Sequence, residues 1–219
     1  DLHSFPTRRS SDLARQIADQ VAVALSNARL VAQLEKLNLG TLEALARTVD
    51  AKSAWTAGHS ERVTHLSVKT ARVLGLSDSQ VETLRRAAYL HDIGKIGIPL
   101  AILDKPGRLT NEEFEMIKEH PVIGARILEP IEAYVDVLSM IYQHHEKYDG
   151  NGYPDGLSGE EITLGARIMA VADVYDAVVS DRPYRQGWIE EKAIDMITRE
   201  SGTHFDPRVV DAFLVAVSQ

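Results

Sequence analysis

Tyr89-Leu-His-Asp-Ile-Gly-Lys-Ile-Gly-Ile-Pro99 sets a histidine and an aspartate side by side at the end of an apolar helical run, followed by a glycine, a lysine and a turn. An imidazole beside a carboxylate is a mixed nitrogen–oxygen pair for a metal ion, and a lysine one turn further on can meet a phosphate. A lone His-Asp dipeptide is more often a solvated surface pair, so its meaning depends on what the flanking elements bring to it.

Upstream, Gly58 to Leu74 is amphipathic and closes at Gly75, and Ser77-Asp-Ser-Gln80 reads as the N-cap of the helix that ends in the His-Asp stretch. Downstream, Thr110 stands three residues before Glu113, a capping-box pattern, and Pro121 can sit in the first turn of the helix that follows His120. Ile131 to Glu146 is expected to form a further helix. Lys147 to Glu161, rich in Gly, Asp and Pro, reads as one long functional loop. Leu164 to Val179 is apolar nearly all round, as a central buried helix must be, and Asp206-Pro207 opens the last helix. No alternating pattern is long enough to support a sheet, so the expected fold is all-α.

Composition narrows the chemistry. The 219 residues suffice for one sizeable domain or for a domain with an appendage, and no apolar run approaches membrane-spanning length. The chain has no cysteine, which excludes disulfides and thiolate-held zinc and suits a reducing, cytoplasmic setting. A net charge of −8 argues against DNA or any other broad nucleic-acid partner. An anionic ligand would bind only where metal ions or clustered arginines reverse the local field.

Of the eight histidines, five fall in conspicuous contexts: His59 in Gly58-His-Ser-Glu-Arg-Val63, His91 before Asp92, His120 before Pro121, and the adjacent pair His144-His145. Asp173 lies inside the apolar helix, in Val171-Ala-Asp-Val-Tyr-Asp-Ala177, where a carboxylate is costly unless paired or metal-bound. Each residue alone is better read as a hydrogen-bonded packing group. Together, five imidazoles and two carboxylates can hold two divalent ions with positions left for water and substrate. Asp92, with two oxygens, is the natural bridge. Such a site lowers the pKa of bound water and clamps a phosphoryl centre, and its sulfur-free donors suit iron or manganese, with zinc also compatible. His65, His204, Trp188 and Phe213 are read as surface, turn or packing residues. Glu146 reads either as a partner that orients an imidazole or as an exposed helix-end carboxylate.

His91-Asp-Ile-Gly-Lys95, His144-His-Glu-Lys-Tyr-Asp-Gly-Asn-Gly-Tyr-Pro154, Val171-Ala-Asp-Val-Tyr-Asp-Ala177, Arg182-Pro-Tyr-Arg185 and Gly202-Thr-His-Phe-Asp-Pro207 together resemble the HD-GYP family, over roughly Leu42 to Val217. The resemblance implies a helical bundle around a dinuclear metal centre. It implies hydrolysis of cyclic di-GMP, a bacterial second messenger, to pGpG and in some members onward to GMP. It assigns His59, His91, Asp92, His120, His144, His145 and Asp173 as metal ligands and Lys95 as a phosphate contact. Gly152, Tyr153, Pro154, Arg182, Tyr184 and Arg185 would line the substrate site, and Asp176, one turn after Asp173, would orient the nucleophilic water or a ligand. Members with a third metal carry a glutamate four residues before the first histidine ligand. Trp55 stands there in this chain, so two ions are expected. The rivals are another HD-superfamily nucleotide phosphohydrolase, hydrolysis of a mixed cyclic GMP-AMP, and a non-catalytic module that binds the messenger and signals to a partner protein.

The N-terminal segment reads differently. Leu13, Ile17, Val21, Ala24, Ala28, Val31, Leu34 and Leu37 recur at three- and four-residue steps, a stripe that must pack on something. Ile17 to Leu30 resembles the last helix of a GAF sensor domain running into a signalling helix, which implies a truncated multidomain regulator that forms a homodimer through this helix. His3 to Leu13 also reads as the translation of a common sequencing-adapter oligonucleotide. The expected organisation is a non-native tail over 1–13, a signalling helix over 14–41 and a phosphodiesterase domain over 42–219.

Overall fold

The computed structural model describes residues 7–53, 56–181 and 186–218, with side chains from residue 12 onward. The chain divides into two compact units, Asp1–Thr41 and Leu42–Gln219. Within the first lies most of α1 (Thr7–Asp50), whose apolar stripe is solvent-exposed: Ile17 is 52%, Leu34 65% and Leu37 67% accessible.

In the second unit the end of α1, with Leu42, Ala46 and Val49 buried, is followed by α2 (His59–Val73), α3 (Asp78–Leu90) and a 3-10 turn (Ile93–Gly97). Next come α4 (Leu100–Leu103), α5 (Asn111–Lys118), α6 (His120–Leu128) and α7 (Val135–Gln143). After the long loop follow α8 (Leu164–Val179), α9 (Glu190–Arg199) and α10 (Pro207–Val217). Among the described residues there is no strand, only two isolated bridges, Asp149 with Ser158 and Ser201 with Phe205. The all-α expectation holds.

The starts of these helices follow from their caps. Ser77 and Gln80 satisfy each other's main-chain N–H groups at the head of α3, and Thr110 and Glu113 do the same for α5. Asp206 accepts from Arg208 N at 2.9 Å, with Pro207 in the first turn of α10. The helix expected over Ile131 to Glu146 is shorter. A 3-10 turn, Glu132–Tyr134, first reverses the chain after α6, and α7 then ends at Gln143. Glu146 N bonds Gln143 O at 2.9 Å, a tight turn that carries His144 and His145 off the helix.

α8 is the spine. It packs against α2, α7, α9 and α10, and Ala166, Ile168, Met169, Val171 and Ala172 are all at most 1% accessible. The 3-10 turn packs on α6 so tightly that a Cβ on Gly94 would sit 1.9 Å from His120 O and 2.5 Å from Gly124 N. Only glycine permits that approach, which brings Asp92 and Lys95 alongside His120.

Candidate metal centre

Three of the histidines stand at helix ends and orient themselves by one device. Nδ1 of His91 donates to Ala88 O at 2.7 Å, Nδ1 of His120 to Ile117 O at 2.7 Å, and Nδ1 of His144 to Ile141 O at 2.6 Å. A carbonyl can only accept, so the proton must sit on Nδ1 and each Nε2 faces inward. His59 does the same through Asp176, its Nδ1 lying 2.7 Å from Asp176 Oδ2.

Two triads result. His120, His144 and His145 form one; His59, His91 and Asp173 form the other; within each the candidate ligand atoms lie within 4.8 Å of one another. Asp92 stands between them. Its Oδ1 is 3.4 Å from His120 Nε2, and its Oδ2 is 3.3 Å from His91 Nε2 and 3.7 Å from His59 Nε2. All seven expected ligands are thus gathered in one cluster, five of them buried and His145 and Asp173 half-buried.

The donor set fits divalent cations. His120 Nε2 and His144 Nε2 face each other at 3.2 Å, with the proton of each ring already committed to a carbonyl. Two lone pairs at that distance repel unless a cation lies between them. His91 Nε2 and Asp92 Oδ1 are buried and make no hydrogen bond among the described residues, a costly state that coordination would relieve.

Electrostatics separates the triads. Burial holds His120 down to about 4 and His145 to about 3, and His144 is likewise depressed, so all three are neutral donors at neutral pH. In the other triad burial also pulls His59 down, but hydrogen bonds to Asp173 and Asp176 and the charge of Asp92 outweigh it, raising His59 to about 9. His91 is raised as well, Asp92 overcoming its burial. Burial of Asp92 and partial burial of Asp173 oppose their charge, yet both are held far below the usual carboxylate range, Asp92 by Lys95 and the histidines, Asp173 by His59 above all.

Lys95 Nζ lies 2.6 Å from Asp92 Oδ2, at the floor of a cavity of about 210 Å³ lined also by Asp50, Ser53, Lys105 and Ile117. The Gly152-Tyr-Pro154 loop folds back over the His120–His144–His145 triad. Tyr153 N bonds His145 O at 3.2 Å and its ring lies 4.9 Å from the His145 ring; the Tyr153–Pro154 peptide is cis. A Cβ on Gly152 would sit 2.2 Å from Lys147 N, so this position too requires glycine. Phe114 reaches the outer side of Tyr153, ring centroids 6.3 Å apart. Arg182, Tyr184, Arg185 and Trp55 lie outside the described residues.

Sequence reasoning missed two supports. Arg62 forks onto Asp176, Nε to Oδ1 at 2.6 Å and a terminal nitrogen to Oδ2 at 3.0 Å, so the carboxylate that orients His59 is itself held. Glu146 neither orients an imidazole nor lies exposed. It is 2% accessible and accepts from the loop's main chain, Asp155 N at 2.7 Å, Gly156 N at 3.1 Å and Leu157 N at 3.0 Å. Its place two residues after His144 is the only hint the sequence offers.

Comparison with known proteins agrees with this geometry. The HD domain family matches residues 43–209. The cyclic di-GMP phosphodiesterase response regulator RpfG of Xanthomonas campestris is 45% identical over 184 residues, covering 83% of this chain and 49% of that protein. The 3′3′-cGAMP-specific phosphodiesterase 3 of Vibrio cholerae is 43% identical over 175 residues, covering 80% and 38%. The chain thus spans half or less of the length of these relatives. Among solved structures, Bd1817 of Bdellovibrio bacteriovorus, described as an HDG"Y"P protein, superposes with a TM-score of 0.61 at 22% identity, covering 77% of this chain and 53% of that one. With its His91-Asp92 pair at the junction of two candidate triads and its Gly152-Tyr-Pro154 loop against His145, the chain belongs to the HD domain family.

Proposed function

We propose that residues 42–219 form a phosphodiesterase domain that hydrolyses cyclic di-GMP to pGpG, as the output domain of a signalling protein. The observation that carries this reading is Asp92 with one oxygen toward each triad, the arrangement one carboxylate needs to serve two ions. His59, His91, Asp92, His120, His144, His145 and Asp173 would hold two divalent ions, which would supply Lewis-acid polarisation of a phosphoryl oxygen and a water of low pKa. Nitrogen and oxygen donors without sulfur favour iron or manganese, with zinc also compatible.

The chain's own residues do the rest. His120, His144 and His145 are neutral and offer lone pairs without first losing a proton. Asp176 and Arg62 fix the plane of His59, so Asp176 acts by orienting a ligand. Lys95 contacts the phosphate beside Asp92 and offsets the charge that builds on it, an effect strongest in a site shielded from water. Tyr153, with Gly152 and Pro154, walls the substrate on the His145 side. Arg182, Tyr184 and Arg185 are proposed, from the family resemblance, to complete the grip on phosphate and base. The exposed stripe of α1 is proposed to pair with a second copy of the chain.

The relative named for 3′3′-cGAMP keeps the mixed cyclic dinucleotide as a second substrate reading. Incubating the protein, loaded with manganese or iron under reducing conditions, with each cyclic dinucleotide and analysing products decides among these readings. The account expects pGpG from cyclic di-GMP, and the same traces report any GMP. Tight binding without product would select the non-catalytic module.

A further inference from the structure

Lys52, in the turn after α1, carries its ammonium to three main-chain carbonyls: Lys95 O at 2.8 Å, Ile96 O at 2.7 Å and Ile98 O at 2.6 Å. An ammonium has three protons and no acceptor, so these bonds use its whole capacity. The carbonyls belong to the last residues of the 3-10 turn Ile93–Gly97 and to its cap, and one is that of Lys95 itself.

That turn needs an external tie. It is five residues long, and its own main-chain bonds include Lys95 N to Asp92 O at 2.9 Å and Ile98 N to Lys95 O at 3.1 Å. Short 3-10 turns have poor internal geometry, and although Ile98 is buried, Ile96 is 52% accessible, so burial alone does not fix the carbonyls of Lys95 and Ile96. The residues around Lys52, by contrast, are held on several sides. The Ser60 hydroxyl donates to Asp50 Oδ1 at 2.7 Å, the Thr56 hydroxyl donates to Asp50 O at 2.6 Å, and the Ser53 hydroxyl donates to Asp104 Oδ1 at 2.6 Å.

Resting on the reading of Lys95 as the phosphate contact, we propose that Lys52 is a positioning residue for it: the Lys52 ammonium pins the main chain of Lys95 and bonds the C-terminal end of α1 to the metal centre. With that main chain fixed, Lys95 Nζ is kept beside Asp92, where it lies 2.6 Å from Oδ2. The end of α1 and the turn bearing Lys95 then move as one body, so a displacement of the helix reaches the lysine through one side chain.

Two measurements on the full metal-loaded chain test this. In Lys52→Met, which keeps the apolar stem, amide hydrogen exchange at Lys95 and Ile98 should rise about tenfold or more while α8 keeps its protection. On cyclic di-GMP, Lys52→Met should lower kcat about tenfold in the wild-type background and less than about twofold in a Lys95→Met background, with the metal content unchanged. Lys52→Arg keeps the charge but spreads its donors over a planar fork, so it should fall between the two, and it carries the test if the methionine variant does not fold. Unchanged exchange at Lys95 and Ile98 overturns the proposal, whatever the turnover. An equal loss of kcat with and without Lys95 overturns it too, since a merely structural role acts in both backgrounds. If the wild-type chain shows no turnover, the phosphodiesterase reading fails and the exchange arm alone decides the role of Lys52.

Discussion

His59 sits among three carboxylates, Asp173 at 3.2 Å, Asp92 at 3.7 Å and Asp176 at 2.7 Å. In the metal-free chain these hold a proton on it up to about 9, whereas a ligand must be deprotonated. Metal loading at pH 7.5 should therefore release about one proton per chain or more, and apparent affinity should rise with pH until it levels near 9. Calorimetry in two buffers of different ionisation enthalpy counts the protons; a count of zero contradicts the electrostatics. Glu146 acts on the other triad through the loop. Glu146→Gln keeps the shape but turns an amide NH2 toward N–H groups that need acceptors, so the loop bearing Tyr153 should loosen. The expected result is a KM for cyclic di-GMP raised about tenfold with metal content unchanged. Loss of metal would show that Glu146 instead supports the ligands directly. The seven candidate ligands stood out because histidine is scarce in this chain and because Asp92 and Asp173 sit in marked contexts, one beside a histidine and one inside an apolar helix. Arg62 and Lys52 did not, because common charged residues announce nothing by type, and Glu146 reads as serving an imidazole or solvent, whereas its partners are loop N–H groups. Arg62 meets Asp176 114 positions away, and Lys52 meets its carbonyls 43 to 46 positions away.

At the scale of elements, the centre depends on how closely the 3-10 turn Ile93–Gly97 lies against α6. Gly94→Ala forces a Cβ into His120 O and Gly124 N, main-chain atoms that cannot rotate aside. The variant should lose about 1–3 kcal/mol of stability, as overpacked sites do, and should hold less metal because Asp92 and His120 are pushed apart. Thermal melting and metal analysis check both; an unchanged metal content would separate the packing from the site. Helix starts were readable here because caps are local: Ser77 with Gln80, and Thr110 with Glu113, each span three residues. The break before α7 was not, because the apolar period from Ile131 onward runs unchanged through the 3-10 turn Glu132–Tyr134.

For the whole molecule, the stripe on α1 and the metal centre make separate claims. If the stripe pairs two chains, Leu34→Glu combined with Leu37→Glu should turn a dimer into a monomer by solution mass, since both positions are exposed and apolar. A wild-type monomer would contradict the pairing. The all-α bundle was legible in the helical periods and the missing strand alternation, while the distances at which α2, α6, α8 and the ends of α3 and α7 bring these residues together came only from the tertiary arrangement. The central claim is that Asp92 joins two triads into a two-ion centre, and elemental analysis of the purified, metal-loaded chain tests it most directly. The account predicts two ions per wild-type chain and fewer in Asp92→Ala. Three ions per wild-type chain, or an undiminished count in Asp92→Ala, would contradict it.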